Sequence, residues 1–265
     1  MRKHKLILMA GPCAIESEEN AFYLAREIKK IVGKYDIDYY FKASWDKANR
    51  TKATNYRGPG LDEGMRILDA IKNEVGVKIV TDIHEPWQAE PVAKVADILQ
   101  IPAFLCRQTD LLEAAAKTGK IINIKKAQFM SPEEMSNVVG KLEHFGCTNF
   151  LLCERGTCFG YNNLVTDMTG LVRLSKLGYP VIYDATHSVQ ISGGGFNYGN
   201  SGKREYVPYL AKAAIATGVI DGLFMEVHND PDSALCDGSC MLELSKLDML
   251  LQQLLEINEI NKKYM

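Results

Sequence analysis

Positive charge is concentrated on one short segment of this sequence. The stretch FKASWDKANRTK, residues 41–52, carries four cations within eleven residues: Lys42, Lys47, Arg50 and Lys52. Arginine offers a planar fork of donors that binds phosphate or carboxylate, and lysine acts as a compact positive charge. The segment is therefore suited to holding an anionic small molecule. For any single lysine, a solvated surface position is the alternative.

The charge of the whole chain argues against two classes of partner. The 31 lysines and arginines are nearly balanced by 33 aspartates and glutamates, which gives a net charge of -2 over 265 residues. A protein that binds nucleic acid or an anionic membrane usually carries an excess of basic residues. We therefore predict neither partner, and we interpret the cations of residues 41–52 as a local binding device.

The first residues and the cysteines bear on the compartment. MRKHKLILMAGPCAIE begins like a secretion signal, but the apolar run from Leu6 to Ala10 is short and Pro12 follows it closely. The seven cysteines are odd in number and include no CxxC pair, which argues against a disulfide framework or a structural zinc knuckle. No run of about eighteen apolar residues is present to span a bilayer. We expect a reduced, cytoplasmic protein without a membrane segment.

Apolar runs and helix-like segments alternate along the chain. Eight runs predict strands buried on both faces of a parallel sheet: KLILMAG, DYYFKAS, VKIVTDI, ADILQIP, IINIKK, NFLLCER, PVIYDAT and DGLFMEV. The best-marked helix, SPEEMSNVVGKLEHFG, carries Ser131 as N-cap, Pro132, Glu134 closing a capping box, and Gly146 past its end. Eight such units over about 250 residues predict an α/β fold, a (β/α)8 barrel in one domain spanning residues 1–265.

In such a barrel the functional residues lie at the carboxyl ends of the strands. Residues able to do chemistry follow every predicted strand: Cys13, Lys42, Lys47, Asp82, His84, Gln100, Lys126, Arg155, Asp184, His187 and Glu226. A single polar strand end can be explained by its contact with water. Because the pattern extends over eight ends, we interpret it as one binding site at the mouth of the barrel.

One group of these residues is cationic and the other resembles a set of metal ligands. Lys42, Lys47, Lys126 and Arg155 are suited to phosphate and carboxylate groups. The second group offers one thiolate, one imidazole and two carboxylates: Cys13, His187, Glu226 and Asp237. They can converge because strand 8 lies beside strand 1 in a closed barrel, and they suit iron(II), zinc or manganese. No local ligand motif is present, so an ordinary buried thiol and a hydrogen-bonded histidine remain the alternative.

Seven ordered motifs carry a resemblance to a known enzyme family. They are AGPCAIES at 10–17, DKANRT at 46–51, RGPGL at 57–61, TDIHE at 81–85, QIPAFLCRQTDLL at 100–112, ERGTCFGYNNLV at 154–165 and YDATHSVQ at 183–190. From about residue 6 to residue 255 the chain resembles 3-deoxy-D-manno-octulosonate 8-phosphate synthases. The resemblance implies a (β/α)8 barrel, usually a homotetramer, that condenses phosphoenolpyruvate with arabinose 5-phosphate and releases phosphate, for lipopolysaccharide biosynthesis.

The resemblance also implies roles for the residues that match its motifs. The residues implied for phosphoenolpyruvate are Lys42, Lys47, Lys126 and Arg155, with Gln100 and Ala103 on the floor of its site. Asn49, Arg50 and Thr51 fall on the segment that receives the sugar phosphate, with help from a neighbouring subunit. Asp82 is expected to contact the sugar chain.

The same family divides into metal-dependent and metal-independent forms. The residue after GP in the first motif is cysteine in the former and asparagine in the latter, and here it is Cys13. His187, Glu226 and Asp237 match the other ligand positions, and His187 is also expected among the catalytic residues. The resemblance therefore implies one divalent transition metal per subunit: iron, zinc or manganese.

Three other functions stay open at this point. A 3-deoxy-arabino-heptulosonate 7-phosphate synthase would use erythrose 4-phosphate, but KANR at 47–50 replaces its KPRTS-like signature. A class I aldolase would use Lys126 to form a Schiff base, and a phosphosugar sensor would bind its ligand without catalysis.

The glycine-rich segment ISGGGFNYGNSGKRE, residues 191–205, is either a loop that closes over the site or an exposed connector.

Overall fold

The fold is built on a closed barrel of eight parallel strands. A computed structural model describes residues 5–191 and 201–264. Barrel strands 1 to 8 are, in order, Leu6–Gly11, Ile37–Lys42, Lys78–Asp82, Ile98–Ile101, Ile121–Lys125, Phe150–Glu154, Val181–Asp184 and Gly222–His228. Consecutive strands are neighbours, and strand 1 also pairs in parallel with strand 8, which closes the barrel. The eight predicted strands and the predicted (β/α)8 barrel are confirmed.

Each barrel strand is followed by an α-helix before the next strand or the end of the described chain. Helices α1 to α8 are Glu18–Val32, Leu61–Ile71, Ala89–Ala93, Thr109–Lys117, Met135–His144, Met168–Ser175, Val207–Ala216 and Leu244–Tyr264. In α1, the residues Ala21, Leu24 and Ile28 recur at helical spacing and are buried against the barrel. Within the described residues, no helix is long and apolar enough to cross a membrane.

Helix α5 begins slightly later than the sequence predicts. The predicted capping box forms, because Glu134 N donates to Ser131 Oγ at 3.3 Å and Ser131 N donates to Glu134 Oε2 at 2.8 Å. Regular helix starts at Met135, because the backbone carbonyls of residues 132–134 accept hydrogen bonds from the amides three residues later, as in a 3₁₀ turn. Gly146, with φ of 75°, follows the end of the helix as predicted.

The core has two parts, one outside the barrel and one inside it. Helices pack on the outer face of the strands through a large apolar cluster. The lower interior is filled by a smaller cluster: Met9, Tyr40, Val80, Ile98, Leu151, Cys153, Ile182 and Phe224. Gly11 ends strand 1 where a Cβ atom would lie 2.1 Å from the carbonyl oxygen of Lys42, so only glycine fits. This close approach brings the loop that carries Cys13 beside Lys42.

Short two-stranded ribbons follow strands 6 and 7 near the mouth. One pairs Thr157–Gly160 with Asn163–Val165, and the other pairs Gln190–Ile191 with Ser201–Gly202. The glycine-rich segment predicted to close over the site falls mainly on residues 192–200, which lie outside the described residues. Closure therefore stays a prediction.

Candidate active site

A cavity opens at the carboxyl ends of the barrel strands. The ends or following loops of strands 2 to 8 contribute to its lining. The predicted site residues that line it are Lys42, Lys47, Asn49, Arg50, Thr51, Asp82, Gln100, Ala103, Arg155, His187 and Asp237. Three others, Cys13, Lys126 and Glu226, lie outside the lining. The structure thus brings most of the predicted residues together at one mouth.

The cavity is electrostatically positive. Its charged lining residues are five cations, Lys42, Lys47, Arg50, Lys125 and Arg155, and three carboxylates, Asp82, Asp184 and Asp237. With the histidines neutral, this leaves an excess of two positive charges. A cleft with charges of one sign in low-dielectric walls concentrates ligands of the opposite charge. The cavity is therefore suited to an anionic ligand.

Glu226, at the end region of strand 8, connects the cationic group with the predicted metal ligands. Its Oε1 accepts a hydrogen bond from Lys42 Nζ at 3.2 Å and lies 3.7 Å from Lys47 Nζ. Its Oε2 is buried without a hydrogen-bond partner, 3.6 Å from His187 Nε2. Burial alone would raise the pKa of this carboxyl, but His187, Lys42 and Lys47 outweigh burial and lower the pKa to about 2. Glu226 is therefore a carboxylate at neutral pH.

The two lysines beside Glu226 have pKa values shifted in opposite directions. Burial alone would lower the pKa of Lys42, which is 1% exposed, but Asp82 and Glu226 outweigh burial and raise that pKa. The pKa of Lys47 is lowered, by burial first and then by the charge of Lys42. An anionic ligand next to Lys47 would favour its ammonium form and oppose this shift.

Asp82, at the end of strand 3, is held by a chain of polar side chains. Its carboxylate accepts hydrogen bonds from Ser44 Oγ and from Gln100 Nε2. Gln100 Oε1 in turn accepts from Asn123 Nδ2 at 2.9 Å. Burial alone would raise the pKa of Asp82, but the nearby lysines Lys42 and Lys47 hold it below its usual value. Asp82 is thus a fixed acceptor at the cavity wall.

His187 is oriented by Asp184, three residues earlier at the end of strand 7. Nδ1 of His187 lies 2.7 Å from Asp184 Oδ2, and because a carboxylate can only accept, Nδ1 carries the proton. Lys125 Nζ also donates to Asp184. Burial alone would raise the pKa of Asp184, but His187 and Lys125 hold it well below its usual value. In the neutral imidazole this tautomer directs the Nε2 lone pair toward Glu226 and Asp237.

Two consecutive lysines at the end of strand 5 take different positions. Lys125 lines the cavity and forms an ion pair with Asp184. Lys126 is fully buried, and its Nζ donates to the carbonyl of Met130 at 2.9 Å and lies 3.5 Å from Glu154 Oε1. The substrate-binding role of Lys126 therefore stays a prediction. Lys125 is the lysine of this pair that faces the cavity.

Two arginines of the cavity lining have donors without partners. Arg155 Nη2 donates to Gln190 Oε1 at 2.7 Å, whereas its Nη1 is buried and unpaired. Arg50 Nε is also buried and unpaired. Buried donors are nearly always hydrogen-bonded in folded proteins, so unpaired donors at a cavity indicate a ligand. Since these arginines follow strands 2 and 6, which lie opposite each other in the barrel, they mark two separate positions for anionic groups.

The predicted metal ligands form two overlapping clusters. In one cluster, His187, Glu226 and Asp237 place donor atoms within 4.8 Å of one another. In the other, Cys13 and Cys236 do so with Asp237. Asp237 Oδ2 joins the clusters, since it lies 3.9 Å from His187 Nε2 and 3.4 Å from Cys13 Sγ. The unpaired Oε2 of Glu226, next to the imidazole of His187 and in a cluster that shares Asp237 with the two thiols, fits a divalent transition metal.

The loop after strand 8 holds Asp237 in an uncommon backbone conformation. Its φ of 50° lies in the left-handed region, which aspartate tolerates better than most residues. Glu16, from the loop after strand 1, anchors this loop by accepting from Leu235 N at 2.8 Å and by approaching His228 Nε2 at 3.3 Å. Backbone of this kind is often found at functional sites. The anchoring fixes Asp237 beside Cys13.

Cys13 is paired through its sulfur with Cys236, although 223 residues separate them in sequence. Their Cα atoms are 6.2 Å apart. The five other cysteines, all within the described residues, are free. The sequence argued against a disulfide framework, and the structure contains this single sulfur pair, located at the metal-ligand cluster.

Sequence reasoning left out several residues of this site, among them Lys125, Gln190 and Cys236. Lys125 could have been found, because side chains two apart in a strand share a face and Asn123 points into the barrel. Gln190, which joins Arg155 to Asp237 through its amide, is the last residue of the motif YDATHSVQ, but the motif implies no role for it. The available signal for Cys236 is its position directly before Asp237, a predicted ligand that is expected to converge with Cys13.

Known proteins match the chain over nearly its whole length. A family model described as "DAHP synthetase I family" matches residues 2–263. A 2-dehydro-3-deoxyphosphooctonate aldolase of Cyanothece sp. is 55% identical over 94% of this chain and 91% of its own length. Proteins of the same name from Rickettsia bellii and Fusobacterium nucleatum are 53% and 54% identical, over 97% and 98% of this chain and 93% of each relative. The chain therefore belongs to the DAHP synthetase I family and groups with its 2-dehydro-3-deoxyphosphooctonate aldolases.

Proposed function

We propose that the chain condenses phosphoenolpyruvate with D-arabinose 5-phosphate and water, giving 3-deoxy-D-manno-octulosonate 8-phosphate and inorganic phosphate. The observation that carries this proposal is the positive cavity with unpaired guanidinium donors on opposite sides. Both substrates bear a phosphate group, so two separated anion positions suit them. The names of the relatives at 53–55% identity agree with this chemistry. The product is the 8-phosphate of the eight-carbon sugar acid used in lipopolysaccharide.

Phosphoenolpyruvate is assigned to the deeper cations. Lys42, Lys47 and Arg155 line the cavity, and Arg155 Nη1 is unpaired, as expected for a group that waits for a carboxylate or phosphate. Gln100 and Ala103 line the same cavity as its floor. Lys126 is assigned to this set on the family resemblance alone, since it lies outside the cavity lining, and Lys125 is added because it lines the cavity.

Arabinose 5-phosphate is assigned to the loop after strand 2 and to Asp82. Asn49, Arg50 and Thr51 line the cavity on this side, and Arg50 Nε is an unpaired donor for the sugar phosphate. Asp82 is ionised and held in place by Ser44, so it can accept hydrogen bonds from the sugar hydroxyls. This arrangement would place the aldehyde end of the sugar between the two phosphate positions.

The condensation requires the two substrates to be held close, because the enol carbon is a weak nucleophile. C3 of phosphoenolpyruvate bonds to the aldehyde carbon, and the carbonyl electron pair becomes an alkoxide that takes a proton. Water adds to C2, and the hemiketal phosphate that results loses inorganic phosphate by cleavage of the C–O bond. Lys42, Lys47 and Arg155 hold the anionic groups of the enol donor and stabilise the charge that develops on them.

One divalent transition metal per subunit, iron, zinc or manganese, would be held by four side chains: Cys13, His187, Glu226 and Asp237. When bound, such an ion supplies a Lewis acid that polarises the aldehyde or positions the water. Support comes from the unpaired Oε2 of Glu226 and from the His187 tautomer set by Asp184. Lys42 Nζ also donates to the carbonyl of Cys13 at 2.9 Å, which couples the cationic group to the ligand group.

The alternatives are less well supported. A Schiff base at Lys126 is disfavoured because its Nζ is buried, bonded to carbonyl oxygens and absent from the cavity lining. The erythrose 4-phosphate reaction is disfavoured by KANR at 47–50 and by the names of the relatives. A non-catalytic sensor does not explain why ionised acids and cations meet at one point.

The assembly and the compartment are also proposed rather than observed. We propose that residues 1–265 form one domain, that the protein is a homotetramer, and that it is located in the cytoplasm. Exposed aromatic side chains on the loops at the mouth favour coverage by another subunit: Phe104 is 55%, Phe129 60% and Phe159 82% exposed. Sedimentation equilibrium should give a mass near four times 29.6 kDa.

Phosphate release from phosphoenolpyruvate, measured with each aldose phosphate in turn, tests the substrate assignment. We expect a strong preference in kcat/KM for arabinose 5-phosphate over erythrose 4-phosphate, because DKANRT occupies the sugar-phosphate segment. Equal rates, or faster turnover of erythrose 4-phosphate, would overturn the assignment. No turnover with either sugar in metal-loaded protein would support the sensor instead.

A further inference from the structure

The proposed metal site contains a second thiol that the metal-ligand assignment does not use. Cys236 Sγ lies 3.6 Å from Asp237 Oδ2, and Cys13 Sγ lies 3.4 Å from the same oxygen. The two cysteines are paired through sulfur, and their Cα separation of 6.2 Å is within the range of protein disulfides. The separation of the two Cα atoms therefore permits a bond between the sulfurs.

The two thiols differ in their access to solvent. Cys13 is 0% exposed and lies outside the lining of both the cavity and the nearby groove. Cys236 is 2% exposed but lines a surface groove together with Arg50, Arg204 and Ser239. A small oxidant can therefore reach Cys236 from the groove without passing through the substrate cavity.

We propose that Cys13 and Cys236 are a reversible redox pair, and that the disulfide between them removes Cys13 from the metal site. With a hydroperoxide as oxidant, the Cys236 thiolate attacks the peroxide oxygen and becomes a sulfenic acid as the alcohol or water leaves. The Cys13 thiolate then attacks this sulfur, and a second water leaves. The two thiols lose two electrons and the peroxide gains them.

Metal binding and disulfide formation compete because both need the sulfur of Cys13. A metal is bound by thiolate, and a sulfur that belongs to a disulfide no longer offers this charge. By linkage, bound metal must protect the pair from oxidation to the same extent that the disulfide weakens metal binding. If only the metal-free protein is oxidised, metal at 100 times its Kd should slow disulfide formation about 100-fold.

The test treats the full chain with hydrogen peroxide, with and without added zinc or manganese. Peptide mass spectrometry without reduction should find a peptide that links Cys13 to Cys236, and elemental analysis should find that the oxidised protein has lost its metal. Dithiothreitol followed by metal should restore both metal content and turnover. The control Cys158→Ser, which removes the exposed free thiol, should behave like the parent protein.

The variant Cys236→Ser separates metal loss caused by the disulfide from metal loss by any other route. It should form no linked peptide at residue 13 and should keep its metal under the treatment that strips the parent protein. Loss of metal at the parent rate from Cys236→Ser would overturn the proposal, as would a linked parent protein that keeps its metal. The proposal rests on the proposed metal site, but the linked peptide is detected without metal or turnover, so failure of the pair is distinguishable from failure of that site.

Discussion

The interior of the barrel has an apolar lower layer and a charged upper layer, which are only two residues apart on several strands. On strand 7, Ile182 is followed by Asp184, and on strand 8, Phe224 is followed by Glu226. All four side chains are 0% exposed. Side chains two apart in a strand point to the same side, so both layers fill one barrel. The two layers are therefore equally buried, although one consists of apolar side chains and the other of charged ones.

The difference shows which layer stabilises the fold and which one is retained for chemistry. Burial of apolar side chains in the lower layer contributes free energy of folding in proportion to the area removed from water. Burial of charges in the upper layer carries a desolvation penalty that ion pairs only partly offset. We infer that selection for function, and not for stability, keeps the upper layer charged.

The largest expected effect on stability comes from the lower layer. Ile182→Ala should lower the free energy of unfolding by about 2–5 kcal/mol, because it leaves a cavity in a closely packed interior. Ile182→Val, the matched smaller deletion, should cost about 0.5–1.5 kcal/mol. Urea unfolding at fixed protein concentration measures both. Equal midpoints for Ile182→Ala and the parent protein would contradict the assignment of the lower layer.

The opposite result is expected in the upper layer. Arg155→Met should lower kcat/KM about 10²–10³-fold, a loss typical of one preorganised charge-stabilising donor. Its unfolding free energy should change little, because removing a buried guanidinium with Nη1 unpaired offsets the lost hydrogen bond to Gln190. Arg155→Lys keeps the charge without the planar fork, so its kcat/KM should lie between that of the parent protein and that of Arg155→Met. A marked loss of stability in Arg155→Met without loss of activity would reverse the comparison.

The metal ligands give the next largest effect. Cys13→Asn should weaken metal retention at least about 10-fold, since even the loss of a group that merely orients a ligand costs about 10–100-fold. If the metal mainly orients substrate or water, this variant should keep some activity without metal. Elemental analysis and rates on the same samples decide this. Carefully demetallated parent protein that turns over at the full rate would contradict the metal site.

The smallest effect is a change in the pH dependence. The pKa of Lys47 is lowered from 10.5, first by burial, so its charge is lost earlier than usual as the pH rises. We expect the alkaline fall of kcat/KM to begin below 10.5 and to disappear in Lys47→Arg, since arginine stays charged. Lys52→Arg, at an exposed position of the same segment, should leave the profile unchanged. An identical alkaline limb in Lys47→Arg would exclude Lys47 as its source.

The sequence predicts the barrel well because the unit of one apolar strand followed by one helix repeats eight times. Apolar runs such as PVIYDAT and DGLFMEV mark strands 7 and 8, and the polar residue at each end marks the upper layer. Side-chain direction at a strand end is not encoded so simply: Lys125, the last residue of strand 5, lines the cavity, whereas Lys126 lies outside the lining. The approach of Cys236 to Cys13 depends on the closure of the barrel between strands 8 and 1 and on the loop anchored by Glu16. No local sequence pattern therefore predicts it.

The upper layer is proposed to hold the phosphate of phosphoenolpyruvate as a leaving group on carbon, and labelled water tests this claim most directly. The reaction is run in ¹⁸O water with arabinose 5-phosphate, and both products are analysed by mass spectrometry. We predict that the label appears on C2 of the octulosonate product and is absent from freshly released phosphate. Label in the phosphate would mean attack at phosphorus and would contradict the account.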